Sequence, residues 1–357
     1  MNSEKRIVAI RNLLSSYGVD GFLITNPTNI RWLSGFTGSY AQLLVTQEQA
    51  ILATDSRYWI AARKDAPFVK LFKDQRRISD TFELLKSANV TTVGFEADYM
   101  TVAHLEKLKK FTALSWVPMS QVVPNARQIK DQQEIAAIQR AAALTDQIMS
   151  LVPEMVRSGM TESELAWQLE KAMREDGADG PSFPIIVAFG PNSALPHHSP
   201  GQRMLNRDEI VLVDIGAELN GYKSDLTRTF FFGRQNDKFQ TIFDLVIAAQ
   251  MAAIDAIAPA TLSTEIYRQA HDVIAAGGYG EQFPHGLGHG IGLEIHEQPW
   301  LSLKFDPVAL APGMVMTIEP GIYLEGWGGV RIEDLGVLDE NGFNLLSYSP
   351  KAPYIPP

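Results

Sequence analysis

The segment 210–233, IVLVDIGAELNGYKSDLTRTFFFG, constrains the fold of this chain more than any other. Two runs rich in β-branched and aromatic residues flank Asn220-Gly221, the dipeptide most typical of a two-residue hairpin loop. Alternate residues of a strand share one face. Such a loop therefore turns Asp214 and Asp225 towards the same side as diagonal neighbours, roughly 7 Å apart at Cβ. A loop of odd length would break this parity.

Asp214 interrupts the apolar run Ile-Val-Leu-Val, and this position predicts a buried carboxylate. A buried charge without a partner destabilises a protein by several kcal/mol, so buried carboxylates are paired or bind a metal. The alternative is that Asp214 and Asp225 are both solvated on an open sheet face.

Three of the seven histidines lie within the segment 284–297, PHGLGHGIGLEIHE. His285 and His289 have the spacing that would place two metal ligands on one helix face. The alternate glycines between them and beyond make a helix unfavourable, and they favour an extended backbone approached closely by a ligand or another strand. A single histidine is more often structural, but this concentration, which includes His296, favours a functional role.

Two glutamates lie in similarly apolar, β-rich surroundings. Glu319 follows the apolar part of MVMTIEPGIY at 314–323, and Glu333 lies in GGVRIEDLGVL at 328–338. For Glu333 the alternative is an ion pair with Arg331, two residues away on the same strand face. Four carboxylates in one pocket would repel each other and take up protons, whereas two divalent ions would neutralise them and activate water.

The composition of the 357-residue chain narrows the chemistry further. There is no cysteine, which excludes thiolate zinc sites, iron–sulfur clusters and cysteine nucleophiles. The net charge of −10 divides into +4 for residues 1–125 (15 basic, 11 acidic) and −14 for residues 126–357 (16 basic, 30 acidic). This acidity argues against a nucleic-acid partner. With no signal-peptide pattern and no apolar run near the roughly 18 residues that cross a bilayer, we expect a cytoplasmic protein without a membrane partner.

A change of pattern near residue 125 predicts two domains, 1–125 and 126–357. The first alternates helical and strand-like segments, an α/β pattern. In the second, Asp131 and Thr161 open the capping boxes of two long helices, and mainly strand-like sequence with two inserted helices follows. Because this order lacks a regular strand–helix–strand alternation, we expect an α+β fold. The clearest segments are strands over 21–25, 42–46 and 93–95, and helices over 101–111, 237–257 and 263–276.

Four motifs in this order, VDIGAELNGYKSDLTRT, HGLGHGIGLEIHE, TIEPGIY and GGVRIED, resemble the Xaa-Pro peptidases, the group that contains prolidase and aminopeptidase P. The resemblance covers residues 127–350, and the order and spacing of the motifs make it highly specific. Residues 20–60, with SGFTGS and TDSRY, are similar to the N-terminal domain of short bacterial members. The resemblance implies a C-terminal α+β pita-bread domain of the creatinase/aminopeptidase type and a smaller, creatinase-like N-terminal α/β domain.

The resemblance also implies roles for nine residues. Two divalent ions, manganese with cobalt or zinc as alternatives, would be held by Asp214, Asp225, His289, Glu319 and Glu333. Of these, Asp225 and Glu333 would bridge both ions. Catalytic roles fall on His197, His296 and Glu319, and substrate contacts near proline fall on His285 and Arg331. At His197-His198, the spacing selects the first histidine.

The implied activity is hydrolysis of the X–Pro bond in short proline-containing peptides, with an aminopeptidase slightly favoured over a dipeptidase. A water shared by the ions would be the nucleophile. Glu319 would carry the proton to the leaving nitrogen, and His296 and His197 would stabilise the intermediate. The extra N-terminal domain argues against methionine aminopeptidase, and the complete ligand set argues against a non-catalytic peptide-binding relative or a metal-free creatinase-like enzyme. The resemblance further implies a homodimer in which the N-terminal domain of one subunit helps close the site of the other.

Overall fold

In the computed structural model, which describes residues 3–111 and 114–356, the chain divides into the units Met1–Arg127 and Gln128–Pro357. The division falls two residues after the predicted boundary between 125 and 126. The strands of the N-terminal unit are β1 (Gly21–Ile24), β2 (Gln42–Thr46), β3 (Ala50–Thr54), β4 (Lys70–Lys73), β5 (Thr92–Glu96) and β6 (Ser115–Met119). Its helices are α1 (Ser3–Tyr17), α2 (Pro27–Ser34), α3 (Trp59–Asp65), α4 (Ile78–Ser87), α5 (Val102–Phe111) and α6 (Val122–Arg127).

The six strands of the N-terminal unit form one mixed sheet in the order β4-β3-β2-β1-β5-β6. β1, β2 and β3 are antiparallel neighbours, and the outer pairs β3–β4, β1–β5 and β5–β6 are parallel. The predicted strand 42–46 is β2, and β1, β5 and α5 each lie within one residue of their predicted bounds. Asn26 caps α2 by accepting a hydrogen bond from the Thr28 N–H at 2.8 Å, and Pro27 takes the first helical position.

The C-terminal unit has four α-helices and fourteen strands in its described residues. The helices are α7 (Gln132–Met155), α8 (Glu162–Glu175), α9 (Asp237–Ala256) and α10 (Ser263–Ala276). The strands are β7 (Gly180–Pro181), β8 (Ile186–Phe189), β9 (Glu209–Ile215), β10 (Ala217–Leu219), β11 (Tyr222–Lys223), β12 (Leu226–Phe232), β13 (Gly288–Gly290), β14 (Glu297–Leu301), β15 (Val315–Ile318), β16 (Gly321–Leu324), β17 (Gly328–Arg331), β18 (Asp334–Asp339), β19 (Gly342–Leu345) and β20 (Tyr354–Ile355).

Two helix pairs each cover their own strands in this unit. α7 and α8 pack on β8, β9 and β12, whereas α9 and α10 pack on strands from β15 to β18. The main sheets run β20-β12-β9-β8 and β14-β13-β15-β18-β19, beside the smaller sheets β11-β10-β7 and β16-β17. Asp131 and Thr161 form the predicted capping boxes at the starts of α7 and α8. The unit is therefore α+β, as predicted.

By length and composition alone, α9 could cross a membrane, although no membrane span was predicted from the sequence. Its apolar residues have another role here. Phe239, Ile242, Val246 and Ala249 are fully buried in the core shared with α10 and the neighbouring sheet. An apolar face of this kind is typical of a core helix.

The predicted hairpin is present, with a two-residue loop. Leu219 pairs with Tyr222 across the loop, and farther along the ladder Asp214 pairs with Thr227. Asn220 and Gly221 both have positive φ, 51° and 78°, as the favoured hairpin turn requires. The loop is thus of even length, and the parity that places the two aspartates on one face is maintained.

Candidate metal centre

The two hairpin aspartates are both buried. Asp214 lies within β9, Asp225 directly precedes β12, and their exposed fractions are 8% and 6%. The Asp214 Oδ2 accepts a hydrogen bond from Arg331 Nη2 at 2.6 Å. Its Oδ1 is buried and has no hydrogen-bond partner within residues 3–111 and 114–356.

His289 lies at the centre of β13 and is held in one tautomer. Its backbone N–H donates to Thr317 Oγ1 at 3.1 Å, and its Nδ1 donates to the Gly290 carbonyl oxygen at 3.0 Å. This leaves a free lone pair on Nε2, which lies 3.5 Å from both Asp225 Oδ2 and Glu319 Oε1. Burial, as the largest cause, lowers the pKa of His289 to about 3, so the ring is neutral, the form that binds metals.

The side chains of Glu319 and Glu333 approach the two aspartates and His289 from the ends of different strands. Glu319 directly follows β15, and Glu333 lies between β17 and β18. Glu333 Oε2 accepts a hydrogen bond from Thr227 Oγ1 at 2.8 Å, but its buried Oε1 has no hydrogen-bond partner among the described residues. Glu319 Oε1 accepts a longer hydrogen bond, 3.3 Å, from Thr317 Oγ1.

Burial and mutual repulsion disfavour the charged forms of these carboxylates. Burial, then the charges of Glu333 and Asp214, raise the pKa of Asp225 well above its usual value. Burial, then Glu319, does the same to the pKa of Glu333, and burial raises the pKa of Glu319 to about 8. Divalent cations would remove this repulsion and keep the carboxylates ionised.

The donor set fits divalent ions. Ligand atoms of Asp225, His289 and Glu333 lie within 4.8 Å of one another, and all three residues are buried. The two oxygens without hydrogen-bond partners, Asp214 Oδ1 and Glu333 Oε1, add free acceptors to the same set. Carboxylate oxygens with one imidazole and no thiolate suit ions such as Mn²⁺, Co²⁺ or Zn²⁺.

Arg331 does not form the ion pair with Glu333 that the sequence left open. Because β17 lies beside β9, the guanidinium of Arg331 reaches Asp214 instead. The same guanidinium donates a hydrogen bond to Thr227 Oγ1 at 3.0 Å. The side chain of Glu333 is held by the hydroxyl of Thr227. The alternative interpretation of Glu333, an ion pair with Arg331, is therefore wrong, because Arg331 pairs with Asp214.

Tyr323 contacts two of the predicted site residues, a link that the sequence pattern did not reveal. Its hydroxyl accepts a hydrogen bond from Arg331 Nη1 at 2.9 Å and lies 2.9 Å from His285 Nε2. Because His285 Nδ1 donates to the Gly286 carbonyl, Nε2 is the acceptor for the tyrosine O–H. Burial, then the charge of Arg331, lower the pKa of His285 to about 4. The two residues placed near proline by resemblance are thus joined through Tyr323.

Recognising a hairpin between TIEPGIY and GGVRIED would have revealed this link. β16 pairs with β17 so that Tyr323 lies opposite Gly329 and Gly321 opposite Arg331. Tyr323 and Arg331 are therefore diagonal neighbours on one face.

The imidazoles of His197 and His296 lie on the more open side of the site, where both side chains are exposed. The rings of His296 and His289 meet edge to face with centroids 4.4 Å apart, and the His296 ring stacks on Trp300 at 6.2 Å. The adjacent His198 is less exposed, and its Nε2 is bound to Glu162 Oε2 at 2.8 Å. Of the neighbouring histidines, His197 is therefore the one with an unengaged ring within the described residues.

One cavity of about 620 Å³ brings these residues together. The nine predicted site residues that line it are His197, Asp214, Asp225, His285, His289, His296, Glu319, Arg331 and Glu333. Apolar and aromatic side chains, among them Ile186, Trp300 and Phe305, form the remaining walls with Lys304. A concave, partly apolar pocket around a carboxylate–imidazole cluster defines a metal-dependent enzyme that acts on a small organic substrate.

Comparisons with known proteins identify the family to which this enzyme belongs. Residues 136–340 match the model of metallopeptidase family M24, and residues 6–129 match that of the creatinase/prolidase N-terminal domain. The chain is 34% identical to the Xaa-Pro dipeptidase of Pyrococcus furiosus over 350 residues, covering 96% of this chain and 98% of that protein.

Two solved structures are similar over 99% of both chains. They are an Xaa-Pro dipeptidase from Bacillus anthracis (36% identity, TM-score 0.96) and an X-Pro aminopeptidase from Thermotoga maritima (32% identity, TM-score 0.90). The chain belongs to metallopeptidase family M24, among the pita-bread Xaa-Pro peptidases. The predicted family, fold and metallopeptidase class are confirmed.

Proposed function

We propose that this protein hydrolyses the peptide bond before proline in Xaa-Pro dipeptides. The observation that carries the proposal is the cavity in which three buried carboxylates, the partly buried Glu319, one neutral imidazole and two more open imidazoles meet. Two divalent ions held by Asp214, Asp225, His289, Glu319 and Glu333 would supply Lewis-acid activation of water and of the scissile carbonyl.

The chain's own residues would bind the substrate and move its proton. His197 and His296 are open to the cavity and can donate hydrogen bonds to the oxyanion that develops on the scissile carbonyl. Glu319 would take a proton from the attacking water and pass it to the leaving proline nitrogen, which must be protonated to depart. His285 and Arg331, linked by Tyr323, would form the wall behind the proline ring.

Manganese is the proposed ion. A set of four carboxylates and one histidine is rich in hard oxygen donors, which suit Mn²⁺ better than a thiolate-rich zinc site would. Cobalt and zinc are the alternatives, because both accept mixed carboxylate and imidazole ligands.

Lys304 favours the dipeptide over a longer substrate. It lines the cavity, and no ion pair to its ammonium group is present in the described parts of the chain. The other cation lining the cavity, Arg331, is already bound to Asp214 and Tyr323. A free ammonium group suits the carboxylate that a dipeptide has directly after proline. An aminopeptidase, the activity favoured from the sequence, is the second candidate because the similar Thermotoga maritima protein bears that name.

The test compares hydrolysis of Ala-Pro and Ala-Pro-Ala by the same preparation, with Mn²⁺ added and after chelation. We expect cleavage of Ala-Pro with Mn²⁺ and loss of that activity with chelator. Preference for Ala-Pro-Ala would support the second candidate, and no cleavage of either peptide with Mn²⁺ would overturn both. Full activity after exhaustive metal removal would contradict the role of the metal.

Lys304→Gln and Lys304→Arg form a matched pair for the substrate preference. Because the first removes a cation and the second retains it, we expect KM for Ala-Pro to rise about tenfold only in Lys304→Gln. An equal KM in both variants would contradict carboxylate recognition by Lys304. A homodimer and a cytoplasmic location stay predictions, checked by light scattering of the purified protein and by cell fractionation.

A further inference from the structure

Glu162 is a fully buried carboxylate outside the metal cluster, and it collects four hydrogen bonds. As the first residue of α8 its side chain is 0% exposed. Oε1 accepts from the Phe189 N–H at 2.9 Å and from Asn192 Nδ2 at 2.8 Å. Oε2 accepts from His198 Nε2 at 2.8 Å and from the Gly201 N–H at 3.0 Å. Both oxygens are therefore saturated, and all four donors lie in one segment, 189–201.

The segment 189–201 carries His197 and is held on a second side by β17. The Gly329 N–H donates to Ser193 Oγ at 2.8 Å, and Arg331 Nη1 lies 3.4 Å from the Pro196 carbonyl oxygen. A Cβ at Gly329 would overlap the backbone of Ser193, so this approach requires glycine. The segment is thus fixed between a carboxylate and a strand that also bears a site residue.

The charge of Glu162 is stabilised where it lies. Burial alone would raise its pKa, but the hydrogen bonds from His198, Phe189 and Asn192 outweigh burial, so the pKa of Glu162 is lowered. The N-terminus of α8 adds a favourable field for an anion. A buried carboxylate with saturated oxygens tolerates little displacement of its donors, because each lost bond leaves a buried charge less well solvated.

The two adjacent histidines consequently differ in freedom. His198 is tied through Nε2 to Glu162, whereas the exposed ring of His197 has no hydrogen bond within the described residues. We propose that Glu162 is a positioning residue that fixes His198 and the segment 189–201, and so presents the ring of His197 to the substrate. This inference rests on the proposed function, in which His197 acts on the scissile carbonyl.

A double-mutant cycle between Glu162→Gln and His197→Ala tests the proposal with Ala-Pro and Mn²⁺. In the wild-type background we expect Glu162→Gln to lower kcat about tenfold to hundredfold, as a small misplacement of a reacting group does, with KM within about twofold. In the His197→Ala background, the same substitution should change kcat by less than about twofold. An equal loss of kcat in both backgrounds would mean general damage and would overturn the proposal.

Glu164→Gln is the matched control. It removes a carboxylate two residues away in the first turn of the same helix, where Glu164 is exposed and accepts a hydrogen bond from the Thr161 N–H. We expect Glu164→Gln to leave kcat unchanged in both backgrounds. The metal content of Glu162→Gln and of Glu164→Gln should equal that of wild type. Loss of metal in Glu162→Gln alone would contradict a role confined to the segment 189–201.

A second variant and a spectroscopic readout keep the test decisive. If Glu162→Gln does not fold, His198→Ala replaces it in the cycle, and a loss of kcat as large in the His197→Ala background as in the wild-type background would overturn the assignment of His198 to positioning. The histidine ring ¹H–¹³C spectrum is recorded as well. The signal of His197 should shift in Glu162→Gln but not in Glu164→Gln. This readout applies even if wild type cleaves neither peptide, so failure of the proposed function is distinguished from failure of this inference.

Discussion

Gly216→Ala tests whether the packing of the hairpin fixes the aspartate pair. Gly216 lies between β9 and β10, and an added Cβ would fall about 1 Å inside the 3.0 Å that real Cβ atoms keep, against the Ser224 carbonyl oxygen. That obstacle is backbone, so the strands themselves must separate. The displaced residue Ser224 directly precedes Asp225, and Gly216 is two residues after Asp214.

The magnitude follows from the contacts at this point. Overpacking a tight site destabilises by about 1–3 kcal/mol. Separation also weakens two hydrogen bonds, from the Ser224 N–H to the Ala217 oxygen at 3.1 Å and from the Ala217 N–H to Ser224 Oγ at 3.0 Å. Each is worth about 1 kcal/mol. The lower entropy of the unfolded chain with alanine offsets about 0.5 kcal/mol of this. We therefore expect the free energy of unfolding to fall by about 3 kcal/mol.

Urea denaturation of the metal-free protein and calorimetric titration with Mn²⁺ measure the two consequences. A shift of about 1 Å at Asp225 exceeds the roughly 0.5 Å tolerance of a metal site, so affinity should fall more than about tenfold. Gly201→Ala is the control, because its Cβ would meet Glu162 Oε2 at an ordinary 3.6 Å. Wild-type stability and Mn²⁺ affinity in Gly216→Ala would refute the reasoning.

Four further outcomes are expected. Asp225→Asn should lose bound metal and peptidase activity together, measured by elemental analysis after dialysis, and a metal-loaded but inactive variant would contradict this assignment. His296→Ala should lower kcat about a hundredfold, as loss of one oxyanion donor does, while metal is retained; a metal-free protein would be inconsistent with that role. Tyr323→Phe removes a partner of the buried Arg331 guanidinium and should destabilise by about 1–3 kcal/mol in thermal denaturation, so an unchanged midpoint would argue against the link. The lowered pKa of Glu162 implies stability that is complete above its unfolded value of 4.5 and lost as pH falls through the folded value. The difference in urea midpoint between wild type and Glu162→Gln should therefore shrink on acidification, and a pH-independent difference would oppose this.

Local chemistry made the aspartate pair predictable. The turn at Asn220-Gly221 depends on two residues and sets the parity of the strands on both sides, so the common face of Asp214 and Asp225 follows without knowledge of the rest of the fold. The same holds for the capping box at Thr161, which marks the start of α8 through contacts within one turn.

Contacts between distant segments were beyond the reach of the sequence pattern. The pairing of Arg331 with Asp214 joins residues 117 positions apart, and the bond between Glu162 and His198 joins residues 36 apart. Glu162 looks like an ordinary acidic residue of a helix start, and only the packing of the segment 189–201 against α8 gives it four donors. Tyr323 was within a recognised motif, but its role depended on the pairing of β16 with β17.

The wide spacing of the proposed ligands has a consequence for how the protein acquires its metal. Between Asp214 and Glu333 the chain passes through strands of four different sheets and through the helices α9 and α10. An unfolded chain therefore offers an ion only isolated weak donors. Metal affinity therefore arises late, when the whole C-terminal unit is assembled, and the bound ion stabilises that final state in proportion to the logarithm of its free concentration. A cell that starves the protein of metal would lower its resistance to proteolysis together with its activity, linking its lifetime to the supply of the ion.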